Sequence, residues 1–328
     1  MPKSGRPLAR PLLVLGGFLV GMWCGASLHS QAPPHAPVEP ARSPAASASA
    51  DAREEADSPS WPAFDFPPGT TSVVINVGSN LGPIMPTREM GPCARGVAVE
   101  PVVACSIPPH PQLHVLPAAV SAVPGVTSMR IMNSNGVSSS LADPASEMSW
   151  NNNKERDGKT VLVPVVTLSS IVRAVPESVA ISVLMTDMQG FDFVAVREAA
   201  DVLRERAPYI VSEVWLDDVY TYRAENDLCR DWLPLMKGLG YALQRLQSHK
   251  GKAIGAKTVA AKCEKQMRER PERPAPDASA GLRESNAYWV RDDAPGTAFP
   301  EVSRAGVEWT DRDYASCSAA PSRLLGSP

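Results

Sequence analysis

Carboxylates that close apolar runs are the residues of this 328-residue chain most suited to chemistry. Asp187 follows Ile181–Thr186 (ISVLMT), Glu100 closes Gly96–Val99 (GVAV), and Glu213 sits late in Tyr209–Trp215 (YIVSEVW). A charge at the end of so apolar a run is costly unless it has a partner or a task. Asp192 completes the segment TDMQGFD, in which Asp187 is the first acid, with Gly190 between them permitting a tight turn. Asp192 also suits the first turn of a following helix, where negative charge meets the positive end of the helix dipole. The run Ser72–Val77 (SVVINV) leads into Gly78 and Gly82, spaced G-x-N-x-G around Ser79, Asn80 and Leu81.

The elements that must hold these residues alternate in type. Ser72–Val77, Gly96–Glu100, Leu113–Val120, Ile181–Thr186, Tyr209–Trp215, Tyr241–Leu246 and Asn286–Arg291 read as strands. Phe193, Val196, Ala200 and Leu203 recur at helical spacing, in a segment that Pro208 stops. A second helix is marked by Leu228, Trp232, Leu235, Met236 and Leu239 and closed by Gly240. Strands alternating with helices imply an α/β fold with a mostly parallel sheet and helices on both faces. In such sheets ligands bind at the carboxyl ends of the strands, where Gly78, Glu100 and Asp187 fall. The G-x-N-x-G spacing lacks the pattern that lets a backbone close on a pyrophosphate, which disfavours a dinucleotide. Glu100, 22 residues after Gly78, is positioned to accept hydrogen bonds from ribose hydroxyls. A glycine turn with a strand-end carboxylate suits S-adenosylmethionine; the plain alternative is an ordinary strand-to-helix turn.

Seven blocks in order resemble the FkbM-type methyltransferases: Val74–Gly82, Val97–Pro101, Pro117–Ser121, Gly136–Leu141, Val163–Leu168, Leu184–Asp192 and Ile210–Val214. The resemblance spans about residues 72–246 together with the strand Asn286–Arg291. It implies a Rossmann-like class I methyltransferase with a seven-stranded sheet, using S-adenosylmethionine for O-methylation of a glycan or small-molecule hydroxyl. On that reading Asn76, Gly78, Asn80 and Gly82 hold the amino-acid end of the cofactor and Glu100 its ribose. Asp187 is the first candidate for the base that activates the hydroxyl, and Glu213 the second. A metal bridging Asp187 and Asp192 is a further option, although no metal ligand set is assigned. The chain departs from the family pattern in two places, with Asn76 where Asp is usual and Met185 where Lys is common. The first departure removes a charge expected near the cofactor's ammonium group, so a catalytically inactive scaffold or binding domain is the alternative function.

Composition bounds the rest. A net charge of −3 gives no basic field for nucleic acid. His110 and His114 are four apart, but Pro108, Pro109 and Pro111 prevent the helix that would aim both at one metal. Lys3, Arg6 and Arg10 precede the uncharged run Leu12–Leu28, near the lower length limit for a membrane span. Residues 1–29 therefore read as a signal anchor or a cleaved signal peptide, and 30–71 as a Pro/Ala/Ser-rich stalk. The methyltransferase body covers 72–291, with a basic insertion at about 247–284, and 292–328 is expected to form an irregular tail. This layout points to a single-pass membrane protein whose body faces a Golgi or endoplasmic reticulum lumen, with a secreted or organellar protein as alternatives. Lys250, Lys252, Lys257, Lys262, Lys265, Arg268 and Arg270 make the insertion basic, suited to a solvated surface or an anionic acceptor. An oxidising compartment would permit at most two disulfides among Cys93, Cys105, Cys229, Cys263 and Cys317.

Overall fold

The computed structural model describes residues 63–131, 139–142, 160–216, 224–248, 251–273, 284–296, 299–304 and 317. The Leu12–Leu28 run, nearly all of the stalk, the first half of the Gly136–Leu141 block and most of the tail lie outside them. Among the described residues no helix is long and apolar enough to cross a membrane.

In chain order the strands are β1 (Ser72–Val77), β2 (Met85–Pro86), β3 (Ala94–Val99), β4 (Leu113–Leu116), β5 (Ala119–Val120), β6 (Gly125–Arg130) and β7 (Thr160–Val166). There follow β8 (Ala180–Thr186), β9 (Tyr209–Trp215), β10 (Tyr241–Ser248), β11 (Ala253–Gly255), β12 (Glu284–Arg291) and β13 (Val302–Ser303). The helices are α1 (Leu168–Ala174), α2 (Asp192–Glu198), α3 (Ala200–Arg206), α4 (Leu233–Gly238) and α5 (Ala256–Glu269), with a π-helical turn over Leu228–Trp232 leading into α4. Thr167 caps α1 by accepting the Ser170 N–H, and Asp227 caps the π turn by accepting from Cys229 and Arg230.

The main sheet has eight strands, in the order β11-β10-β12-β9-β8-β1-β3-β4. From β4 through β9 neighbours run parallel; β12 is antiparallel to β9, β10 to β12 and β11 to β10. The sheet is therefore mixed and one strand wider than expected, because the insertion after β10 folds back as β11. Among the described residues the helix distribution also differs from the expectation of helices on both faces. Buried apolar side chains of all five helices join one cluster, with Val73, Ile75 and Val77 of β1 and Ile210 and Val214 of β9. The opposite face carries Val74, Val183, Met185, Tyr209 and Val211, packed among the described residues by Ile84, Met90, Ala294, Phe299 and Val302 from extended segments and a single 3-10 turn.

Three further differences have local causes. The run Leu113–Val120 divides at Pro117, which offers no N–H to a ladder. Its first half pairs with β3, and its second joins β7 and β6 in a separate three-stranded sheet. The basic insertion is in large part regular structure: α5 buries Val259 and Cys263, and the Cys229–Cys263 disulfide ties it to the π turn. Arg273 pairs with Asp231, and Arg230 donates to the carbonyls of Arg270 and Pro271. The tail is anchored in part, since β13 pairs with β2 and Cys317 is bonded to Cys93 across a sequence separation of 224.

Candidate active site

The carboxyl ends of β1, β3 and β8 meet at the glycine turn. Gly78 donates to Val99 O at 2.8 Å, while Asp187 donates to Val77 O at 2.9 Å, so each strand end is stitched to the next. Gly78 has φ +74, and a Cβ there would stand 1.9 Å from the Asp187 carbonyl oxygen. No other residue fits without moving the β8 end away. Asn80, at φ +47, closes the turn on itself, its Oδ1 accepting the Leu81 N–H at 2.7 Å. No helix follows. Pro83 and Pro86 carry the chain in extended form into β2, so the turn is not a strand-to-helix connection.

Glu100 is buried and its carboxylate organises the turn. Oε2 accepts the Asn80 N–H at 2.9 Å; Oε1 accepts the N–H groups of Val102 at 2.8 Å and Val103 at 3.2 Å. A carboxylate has about four lone-pair sites, so the Oε2 side keeps room for a ligand hydroxyl.

Beyond β8, Asp187 accepts from Gln189 Nε2 at 2.9 Å, and the same amide group reaches Glu213 Oε2 at 3.3 Å. Gln189 is held in the left-handed region at φ 53, and its carbonyl accepts from Ser140 Oγ at 2.7 Å. Asp192 begins α2, and both its oxygens take the Met188 N–H at 3.1 Å. Its carboxylate thus closes the turn. Burial, then the charge of Asp187, raises the Asp192 pKa to about 7. Glu213, fully buried, is pushed well above the ordinary carboxylate range by desolvation and then by Asp187, Glu284 and Asp192.

Val77, Gly78, Asn80, Gly82, Glu100 and Asp187 line one cavity of about 290 Å³, together with Ala118–Val120, Met129, Ser139, Leu141, Met188, Gln189, Phe191 and Arg304. Its size is at the lower edge for small-molecule sites, and it combines apolar walls with a few convergent polar groups. A family model described as the methyltransferase FkbM domain matches residues 73–243, just over half of the chain. The chain belongs to the FkbM methyltransferase family. That membership implies a class I methyltransferase α/β fold and makes methyl transfer the chemistry it supports; such families generally use S-adenosylmethionine. No curated protein and no solved structure matches the chain.

The FkbM domain brings together five of the seven residues singled out in the sequence: Gly78, Asn80, Gly82, Glu100 and Asp187. Two stand elsewhere. Side chains alternate along β1, so Ile75 and Val77 face the helices while Asn76 shares the opposite face with Val74. There Asn76 is buried, and its Oδ1 accepts the Ile84 N–H at 2.9 Å. Asn76 does not line the cavity, so its expected hold on the cofactor's amino-acid end is not carried by this placement. Met185 is its register partner on β8 and belongs to the apolar cluster of that face. The chain's two departures from the family pattern are thus one paired site, away from the cavity. Glu213 stands behind Gln189, outside the lining, which removes the direct contact a base would need.

Three polar lining residues are additional to those the sequence singles out. Gln189 lies inside the TDMQGFD motif and is legible there, and Ser139 lies in the GVSSSL block. Arg304, in the tail, carries no sequence signal. His110 and His114 are separately engaged: His110 Nδ1 accepts the Gln112 N–H at 3.1 Å, and His114 packs edge-on to Phe66.

Proposed function

We propose that the chain is an S-adenosylmethionine-dependent O-methyltransferase acting on a hydroxyl of a glycan or small molecule. The observation that carries this reading is a glycine turn, a ribose-suited carboxylate and a second carboxylate on one cavity at the strand ends. The residues fit the cofactor in kind: Gly78 keeps the turn free of a side chain, and Glu100 lines the cavity with its Oε2 taking a single N–H. When bound, S-adenosylmethionine supplies a methyl group on a positively charged sulfur.

Asp187 would accept the proton of the acceptor hydroxyl, readying that oxygen for methyl transfer. Gln189 orients the Asp187 carboxylate by donating to its Oδ1. Glu100 holds the turn and receives ribose hydroxyls. Met129, Leu141 and Phe191 exclude water from the reacting groups. The disulfides Cys93–Cys317 and Cys229–Cys263 support a body in an oxidising compartment, which suits an N-terminal anchor and a secretory lumen.

The test is a comparison of the full-length chain with Asp187→Asn. S-adenosylhomocysteine binding by calorimetry is expected to change less than about threefold, and methyl transfer to a panel of sugars and phenols to fall at least about 100-fold. Retained turnover would reject Asp187 as base. The missing helix after the glycine turn favours the alternative of a catalytically silent module, and failure of the folded wild type to bind S-adenosylhomocysteine would select it.

A further inference from the structure

Arg304 is the one cation lining the cavity among the described residues, against the carboxylates of Glu100 and Asp187. It lies 61 residues (304 against 243) beyond the region matched by the family model. The fold delivers it by a built path. Phe299 packs edge-on to Tyr209 and Tyr288, and Val302 and Ser303 pair with Pro86 and Met85. Arg304 Nη1 then donates to Gly82 O at 3.1 Å. Gly82 leaves the space for this approach, since a Cβ there would stand 3.0 Å from Nη1.

The acids of the cavity do not recruit this guanidinium. Glu100 takes three backbone N–H groups and Asp187 takes Gln189. The remaining donors of Arg304 have no partner among the described residues, and the side chain is exposed. A guanidinium fixed by one carbonyl, with its other donors open, is suited to a carboxylate.

We propose that Arg304 binds the α-carboxylate of the cofactor's amino-acid end. This rests on the S-adenosylmethionine reading above and extends its site to the C-terminal segment. No family-matched residue then has to supply that positive charge.

The test is calorimetric titration of the full-length wild type, Arg304→Gln and Gly82→Ala with two ligands. One is S-adenosylhomocysteine; the other is 5′-methylthioadenosine, which lacks the amino-acid carboxylate. Arg304→Gln is expected to weaken S-adenosylhomocysteine about 10- to 100-fold and methylthioadenosine less than about twofold. Gly82→Ala, which keeps the charge but crowds Nη1, is expected to weaken only the first ligand, by several-fold. Equal losses for both ligands would overturn the proposal and leave Arg304 as a brace for the turn. An unchanged affinity for S-adenosylhomocysteine with a raised acceptor KM would overturn it in favour of an anionic acceptor. A wild type that binds methylthioadenosine and S-adenosylhomocysteine equally would overturn the anchor alone; one that binds neither would overturn the cofactor reading and the anchor with it.

Discussion

Replacing Glu100 with Gln separates two duties of one side chain, organising the glycine turn and meeting a ligand. The carboxylate takes N–H groups from Asn80, Val102 and Val103 at 2.9, 2.8 and 3.2 Å. In the better orientation of a Gln, its oxygen keeps Val102 and Val103, and its NH₂ faces the Asn80 N–H. Two charge-assisted bonds then become neutral, losing about 1 kcal/mol each, and the third is lost at about 1 kcal/mol because Asn80 is only half-buried. The sum is about 3 kcal/mol, or about 6–12 °C in Tm for a body of this size. Urea unfolding of the full-length chain reads the first number. Hydrogen exchange reads the cause: the amides of Asn80, Val102 and Val103 should lose protection together. A variant within about 0.5 kcal/mol of wild type, with those amides still protected, would refute the claim that Glu100 holds the turn.

Two more perturbations test the charges around it. Asp192 is raised from 3.8 to about 7 by burial and by Asp187, so the folded chain holds a proton there that the unfolded chain releases; stability is full below about pH 4 and is lost as pH rises through 7. Thermal melts should therefore show about 3 kcal/mol less stability at pH 8 than at pH 5, Glu213 acting with the same sign beside Asp187 and Glu284, and Asp192→Asn should flatten the profile; an equally steep profile in that variant would remove the assignment. Asn76→Asp should cost about 3 kcal/mol or more by leaving a buried carboxylate against Met185, Met185→Lys should recover most of it, and neither should alter S-adenosylhomocysteine affinity beyond about twofold; tighter binding by Asn76→Asp would return that side chain to the cofactor site.

Strands buried on both faces are legible because they read as continuous β-branched runs. β1 and β9 begin and end where the apolar runs do. The three-stranded sheet is not legible: β6 buries only Met129, and β7 contains Pro164, so neither shows a clear burial period. Pro164 is tolerated because β5 pairs with β7 only from Val165 onward. The acidic site is legible at Glu100 and Asp187, whose positions at strand ends follow from local pattern. The direction Asn76 faces is fixed by its alternation with Ile75 and Val77, but a run apolar on both faces does not say which face meets the helices. Arg304 depends on a pairing between segments more than 200 residues apart, which no local period encodes.

In the sequence the silent-module reading rests on Asn76 and Met185, and both stand on the face away from the cavity. As register partners they replace two opposite charges by two neutral groups, a change that preserves the charge balance of that face and leaves the cavity as it was. What the cavity does lack is a helix behind the glycine turn. In an α/β nucleotide site the helix N-terminus supplies positive potential to an anionic group. Here the chain runs on without a helix from Gly82 into β2, and Arg304 reaches the same turn from the other end of the chain. A formal positive charge at Gly82 compensates for the missing half-charge of a dipole, so the absent helix and the arginine of the tail are two parts of one arrangement.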